Sequence, residues 1–262
     1  MGFLSSMFSK EERQAKALQK NLKKTINRLI QTEERYGAMQ ALIDDGSDEA
    51  IYGLLRRFTI AADSKGGMVV DEEEKAWVYK AILRFGQQAL PQVVKFLHAK
   101  EGPTVNPVHS ISQGLDLFLE LTGRDKEAVL ELMRGLISEN PPGYERDPIR
   151  KEEILNFLND WNDPRMADFI VPYLEDMSET IRFLTVETLF KFDNEEVARD
   201  AILEQLNPEN NDSLRIHNRI IQGFEAAGWS IKGARSYLEP LIKDSEYSIQ
   251  RGDKLVRKKG KN

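Results

Sequence analysis

Apolar residues recur at steps of three and four along almost the whole chain, and no feature constrains its fold more strongly. Leu18, Leu22, Ile26, Leu29 and Ile30 mark one apolar stripe of a helix. Strand-like alternation is confined to the C-terminus. Turn signals arrive at regular intervals, among them Lys65-Gly-Gly67, Gly102-Pro103, Asn140-Pro-Pro-Gly143, Asn162-Asp-Pro164 and Asn207-Pro208. They cut the chain into predicted helices of about ten to eighteen residues, short enough to need neighbours for stability.

The stretch Ile170–Leu189 is the clearest unit of an internal repeat. Its first helix carries Pro172, a short turn carries Asp176, and its second helix opens on the pair Ile181-Arg182. The aliphatic-basic pair returns as Ile149-Arg150 and Leu214-Arg215, with Val78-Tyr79 and Val108-His109 as degenerate forms and Arg35 heading a first copy. The second members, at 35, 79, 109, 150, 182 and 215, are separated by 44, 30, 41, 32 and 33 residues. The long steps are assigned to loops at 63–70 and 139–147. Prolines recur in the first helices, at Pro91, Pro172 and Pro240, where a missing N–H is expected to kink the helix.

Over residues 31–243 this pattern resembles the HEAT repeats of bacterial proteins related to the phycobilisome lyases. The resemblance implies an all-α fold, a right-handed α-solenoid of about six helix pairs whose stacked units supply one continuous core. Residues 1–30 are predicted to form a basic amphipathic helix ahead of it, and residues 244–262 a basic tail with a small hairpin. The resemblance further implies that Arg150, Arg182 and Arg215 are structural, each meeting a turn aspartate such as Asp176 in an adjacent unit.

Charge narrows the partners. The net charge is −6, but residues 1–30 carry +5 and residues 250–262 another +5, which leaves −16 on the body. An acidic body is a poor footprint for nucleic acid, whose phosphates need a basic face. It favours a protein partner with a basic surface or segment. With no cysteine in the chain, disulfides, thiolate metal sites and cysteine nucleophiles are excluded, which fits a reducing, cytoplasmic compartment. No apolar run reaches the roughly 20 residues that cross a bilayer.

No constellation of catalytic or metal-binding type emerges, and no cofactor is expected. His98, His109 and His217 are far apart in sequence and none belongs to a His-Glu-x-x-His pattern. The acidic runs Asp71-Glu-Glu-Glu74 and Asp193-Asn-Glu-Glu196 stand where helices are expected to begin, so they read as solvated faces at the positive end of the helix dipole. Arg251-Gly-Asp253 reads as the turn of the C-terminal hairpin. Trp77, Trp161 and Trp229 read as packing residues.

The N-terminal segment invites a sharper expectation. Phe3, Leu4, Met7 and Phe8 form an apolar cluster, followed by basic residues that include Lys16, Lys20, Lys23 and Lys24. Such a segment suits an anionic membrane surface or a groove on a partner; the alternative is a cap on the first repeat. The expected function is a non-enzymatic scaffold that holds another protein on its concave face. The alternatives are a peripheral membrane adaptor and an enzyme of the phycobilin-lyase kind, since repeat architecture alone does not transfer activity.

Overall fold

The computed structural model describes residues 2–60, 67–99 and 111–258, with side chains described from Lys10 in the first helix and from Asp71 in the helix that begins at Gly67. The described residues are mostly helical. They form α1 (Gly2–Thr25), α2 (Thr32–Asp45), α3 (Asp48–Leu55), α4 (Gly67–Phe85), α5 (Leu90–His98), α6 (Ile111–Leu121) and α7 (Lys126–Glu139). They continue with α8 (Ile149–Trp161), α9 (Ala167–Ile170), α10 (Glu179–Phe192), α11 (Glu195–Glu204), α12 (Leu214–Ala227) and α13 (Arg235–Ile242). A hairpin of β1 (Tyr247–Gln250) and β2 (Lys254–Arg257) closes the chain. Two compact units emerge, Met1–Leu132 and Met133–Asn262, divided within α7.

Within each unit the helices pack on their chain neighbours and on the next helix but one. In the first unit α1 packs on α2 and α3, α3 on α5, α2 on α4, and α4 on α6. In the second unit α8, α10 and α12 pack in succession, and α9 packs on α11. The hairpin rests on α12 through β2, with Leu255 buried.

Local chemistry fixes the ends of these helices. Ser47, Ser178, Asn194 and Ser213 accept hydrogen bonds from Ala50, Ile181, Val197 and Ile216 N–H, so each satisfies a donor that the first turn cannot. Asn194-Glu-Glu196 is thus a helix start, with both glutamates in the first turn of α11, as the sequence pattern has it. Gly46 and Gly228 end α2 and α12 in left-handed conformation. Arg251-Gly-Asp253 forms the hairpin turn, with Gly252 at φ 81° and Asp253 at φ 54°.

The prolines behave less uniformly than expected. Pro240 alone of the three lies inside a helix. Pro91 stands in the first turn of α5, where its missing N–H costs nothing. Pro172 follows α9 and opens a 3-10 segment at Val171–Glu175, so it ends one helical form and begins another instead of bending a continuous helix.

Close approach of α10 and α12 depends on one small residue. A Cβ at Gly223 of α12 would stand 2.2 Å from Phe190 Cε2 on α10. Phe190 has little room to retreat, because its ring centroid lies 5.5 Å from that of Phe224 and 5.2 Å from that of Trp229. Gly223→Ala should therefore lower stability by about 1–3 kcal/mol through overpacking, despite the better helix propensity of alanine. Urea unfolding followed through Trp229 checks this; an unchanged or raised midpoint would refute it.

Candidate functional site

The first unit buries a set of charges. Arg57 Nη2 lies 2.6 Å from Asp71 Oδ1 and 2.7 Å from Glu74 Oε2. Arg35 binds Glu74 in a two-pronged manner, Nε to Oε2 at 2.7 Å and Nη2 to Oε1 at 2.8 Å. The side chains of Arg35, Arg57 and Glu74 have no solvent-accessible surface. Arg57 Nη1 also donates to the Ile60 carbonyl at 3.0 Å, and Lys75 reaches Asp71 Oδ2 at 2.7 Å. This corrects the solvated-face expectation for Asp71-Glu-Glu-Glu74. Helix α4 begins at Gly67, so the acidic run lies beyond its first turn, and helical spacing turns Asp71 and Glu74 inward while Glu72 and Glu73 face solvent.

The second unit has a smaller buried pair at the turn between α9 and α10. Lys151 Nζ lies 2.6 Å from Asp176 Oδ2, and both side chains are fully buried. Asp176 also accepts from Gly143 N–H at 3.0 Å and Ser178 N–H at 2.8 Å, and Lys151 donates to the Gly143 carbonyl at 2.9 Å. Tyr173 of the 3-10 segment donates its hydroxyl to the Asn140 carbonyl, and burial pushes that phenol well above its ordinary titration range. The residue that reaches the turn carboxylate from a preceding helix is Lys151, next to Arg150.

The three repeat arginines differ in position. Arg150 is buried, and desolvation lowers its pKa against the pull of Glu139, Glu153 and Glu145. Arg182 is half-buried and donates Nη1 to the backbone carbonyls of Asp176 and Met177, at 2.7 and 3.3 Å, not to a carboxylate. Arg215 is exposed, lying 3.9 Å over the Phe183 ring and 3.9 Å from Glu179. One sequence position thus serves three environments. Arg57 and Lys151 went unnoticed in sequence; the apolar frame of Arg57, Leu54-Leu55-Arg56-Arg57-Phe58, is the available sign that this cation is drawn inward.

Among the described residues of the second unit, two surface concavities stand out. One, of about 650 Å³, lies among α8, α10 and α12 and includes Asn159, Glu187, Lys191, Arg219 and Ala226. Its charges answer one another: Arg219 lies 3.1 Å from Glu187, and Lys191 3.9 Å from Asp160. The other, of about 940 Å³, lies between the Val171–Glu175 segment and α11 and is bordered by the turns that follow them. It contains Glu175, Glu204, Glu209 and Asp212.

The N-terminal helix divides into two parts. Its second half is docked: Leu22 and Thr25 are buried, Gln19 donates to Glu49 at 2.7 Å, and Lys24 pairs with Glu34. Desolvation opposes the effect on Glu34, but the Lys24 hydrogen bond and charge lower its pKa. From Lys10 to Ala17 every residue is exposed, as are Lys20 and Lys23, so Lys16, Lys20 and Lys23 present their charges to solvent. The side chains of Phe3, Leu4, Met7 and Phe8 lie outside those described, as do Val108 and His109.

The remaining candidates are occupied structurally. His217 is buried, its Nε2 2.8 Å from the Asn211 carbonyl. Trp229 is buried and donates to Asp193 at 3.1 Å, Trp77 packs on Tyr36, and Trp161 stacks on Phe157. Among the described residues no group of three or more histidines and carboxylates has metal-binding geometry, and no helix is long and apolar enough to cross a membrane. Comparison with protein-family models and with curated proteins finds no match.

Proposed function

We propose that the chain is a non-enzymatic HEAT-repeat scaffold, a right-handed α-solenoid that binds another protein. One observation carries this reading: within each unit successive helices pack alternately, first on first (α3 on α5, α9 on α11) and second on second (α4 on α6, α8 on α10 on α12). That is the packing order of stacked helix pairs, in which each pair completes its core only against the next. The buried charges agree with it, because they fasten turns and helices to one another. Absence of cysteine fits a cytoplasmic setting.

Affinity capture from the source cells tests the proposal, using the full chain and a chain lacking residues 1–30. A stoichiometric partner retained by both is expected. No partner on either would defeat the scaffold reading.

The exposed stretch from Lys10 to Ala17 favours a second reading, that of a peripheral membrane adaptor. Each lysine or arginine near an anionic leaflet contributes about 1 kcal/mol. Sedimentation with anionic vesicles should then remove the protein from solution, neutral vesicles should not, and deletion of residues 1–9 should abolish the effect. Equal behaviour of the deleted and full chains on anionic vesicles would rule out this role for the tip.

A further inference from the structure

We propose that the groove between Val171–Glu175 and α11 docks a basic, apolar-anchored segment of a partner protein. The proposal rests on the scaffold reading and gives it an address at the turn edge of the second unit, away from the face formed by α8, α10 and α12. Two independent observations meet there.

The first is a row of apolar side chains left in solvent. Tyr144, Met177 and Leu214 are 75%, 68% and 69% exposed; Tyr144 and Met177 stand in the turns ahead of α8 and α10, and Leu214 is the first residue of α12, the next helix in that packed series. Hydrogen bonds fasten those turns side by side: Gly143 N–H donates to Asp176, and Ser213 Oγ donates to Glu179, each at 3.0 Å. Singly exposed apolar residues are ordinary, but three at the N-terminal ends of helices that pack in succession offer apolar surface for a partner to cover. Met177 is also part of the groove wall, with the exposed Pro172 and Pro208 as further apolar surface.

The second is the balance of committed and uncommitted charge. Asp176 is held by Lys151, and Arg182 is engaged with the backbone carbonyls of Asp176 and Met177. Glu175, Glu204, Glu209 and Asp212 make no ion pair among the described residues, so four carboxylates face the opening without a matching cation. In the concavity among α8, α10 and α12, by contrast, Arg219 and Glu187 are paired. Complementarity therefore calls for lysines or arginines on the occupant, with one or more apolar side chains against Met177 and its row. The groove, at about 940 Å³, has room for about two turns of a helix roughly 10 Å across.

The test is fluorescence anisotropy on the full chain, with a labelled synthetic peptide of lysines and two leucines as probe. Two counter-peptides carry glutamate for lysine and serine for leucine. Replacing the rim carboxylates together (Glu175→Gln, Glu209→Gln, Asp212→Asn) should weaken binding by about tenfold, the sum of three modest exposed charge contacts. A matched control on exposed carboxylates of the same unit (Glu196→Gln, Asp200→Asn, Asp244→Asn) should change it by less than about twofold, within what single solvated charges contribute. Met177→Ser should weaken the leucine peptide and leave the serine peptide unaffected. Binding should fall as salt rises, because the screening length drops from about 10 Å at 0.1 M to about 3 Å at 1 M.

Equal losses in the groove and control variants would overturn the proposal, since they would mean diffuse attraction to an acidic body. Concentration-dependent self-association that the groove variant abolishes would overturn it in favour of a second copy as occupant. A groove variant that still captures the unaltered chain's cellular partner would show the address to be wrong with the scaffold intact; an unaltered chain that captures nothing is the separate failure of the scaffold reading.

Discussion

Glu74→Ala should cost the first unit about 3–5 kcal/mol, the penalty for breaking a fully buried ion pair. The substitution leaves Arg35 and Arg57 without the carboxylate that each contacts twice or more, in a place where neither has any exposed surface. Arg57 keeps Asp71, but among the described residues Arg35 keeps only the backbone carbonyls of Asn27 and Ile30, at 3.4 and 3.2 Å. A guanidinium has no neutral form to retreat into near neutral pH, so the cost cannot be relieved by losing a proton. Because whole domains are stable by only about 5–15 kcal/mol, the unit should be near its unfolding threshold at 25 °C. Trp77, packed 5.2 Å from Tyr36 beside Arg35, is the natural fluorescence probe for a urea titration. Replacing Arg35, Arg57, Asp71 and Glu74 together by apolar residues of similar volume should restore most of the loss, because the cluster spends much of its attraction on desolvation. A fully stable Glu74→Ala variant would mean that water reaches the arginines.

Asp176→Ala should be the most damaging of the corresponding changes in the second unit, at about 3–5 kcal/mol. It strips Lys151 of a fully buried carboxylate partner and removes the acceptor for Gly143 and Ser178 N–H. Lys151→Met should cost less, because Asp176 keeps those two N–H donors. Arg182→Ala should cost least, about 1 kcal/mol, since it gives up only hydrogen bonds to two backbone carbonyls near solvent. Thermal and urea unfolding of the three variants gives the ranking. If Arg182→Ala exceeded Asp176→Ala, the repeat arginine would be the principal fastening of this turn after all.

The contrast between Arg182 and Lys151 marks how far the sequence could be read. The pair Ile181-Arg182 is visible as part of a repeated pattern and lies in α10, and Asp176 is visible as a turn residue and ends the 3-10 segment. Which cation takes the carboxylate depends on the reach of two side chains from different helices, Lys151 and Asp176 being 25 residues apart. The acidic run at residues 71–74 shows the same limit. Its composition suits a helix start, and the similar run at 193–196 is one. Only the position of α4 relative to Arg35, 39 residues before Glu74, decides that two of its four carboxylates are core residues.

Sequence alone determined what local chemistry controls: helices at a period of 3.6, capped by Ser47, Ser178, Asn194 and Ser213, and a hairpin turned by Arg251-Gly-Asp253. These features depend on hydrogen bonds and backbone angles within a few residues, so a short window contains their cause. Tertiary structure decided which charges are buried, which proline starts a helix, how closely Phe190 approaches Gly223, and where apolar side chains remain in solvent. Those outcomes depend on the desolvation and packing of groups brought together from distant parts of the chain, and a charge or a methionine carries no local mark of the neighbours it will meet.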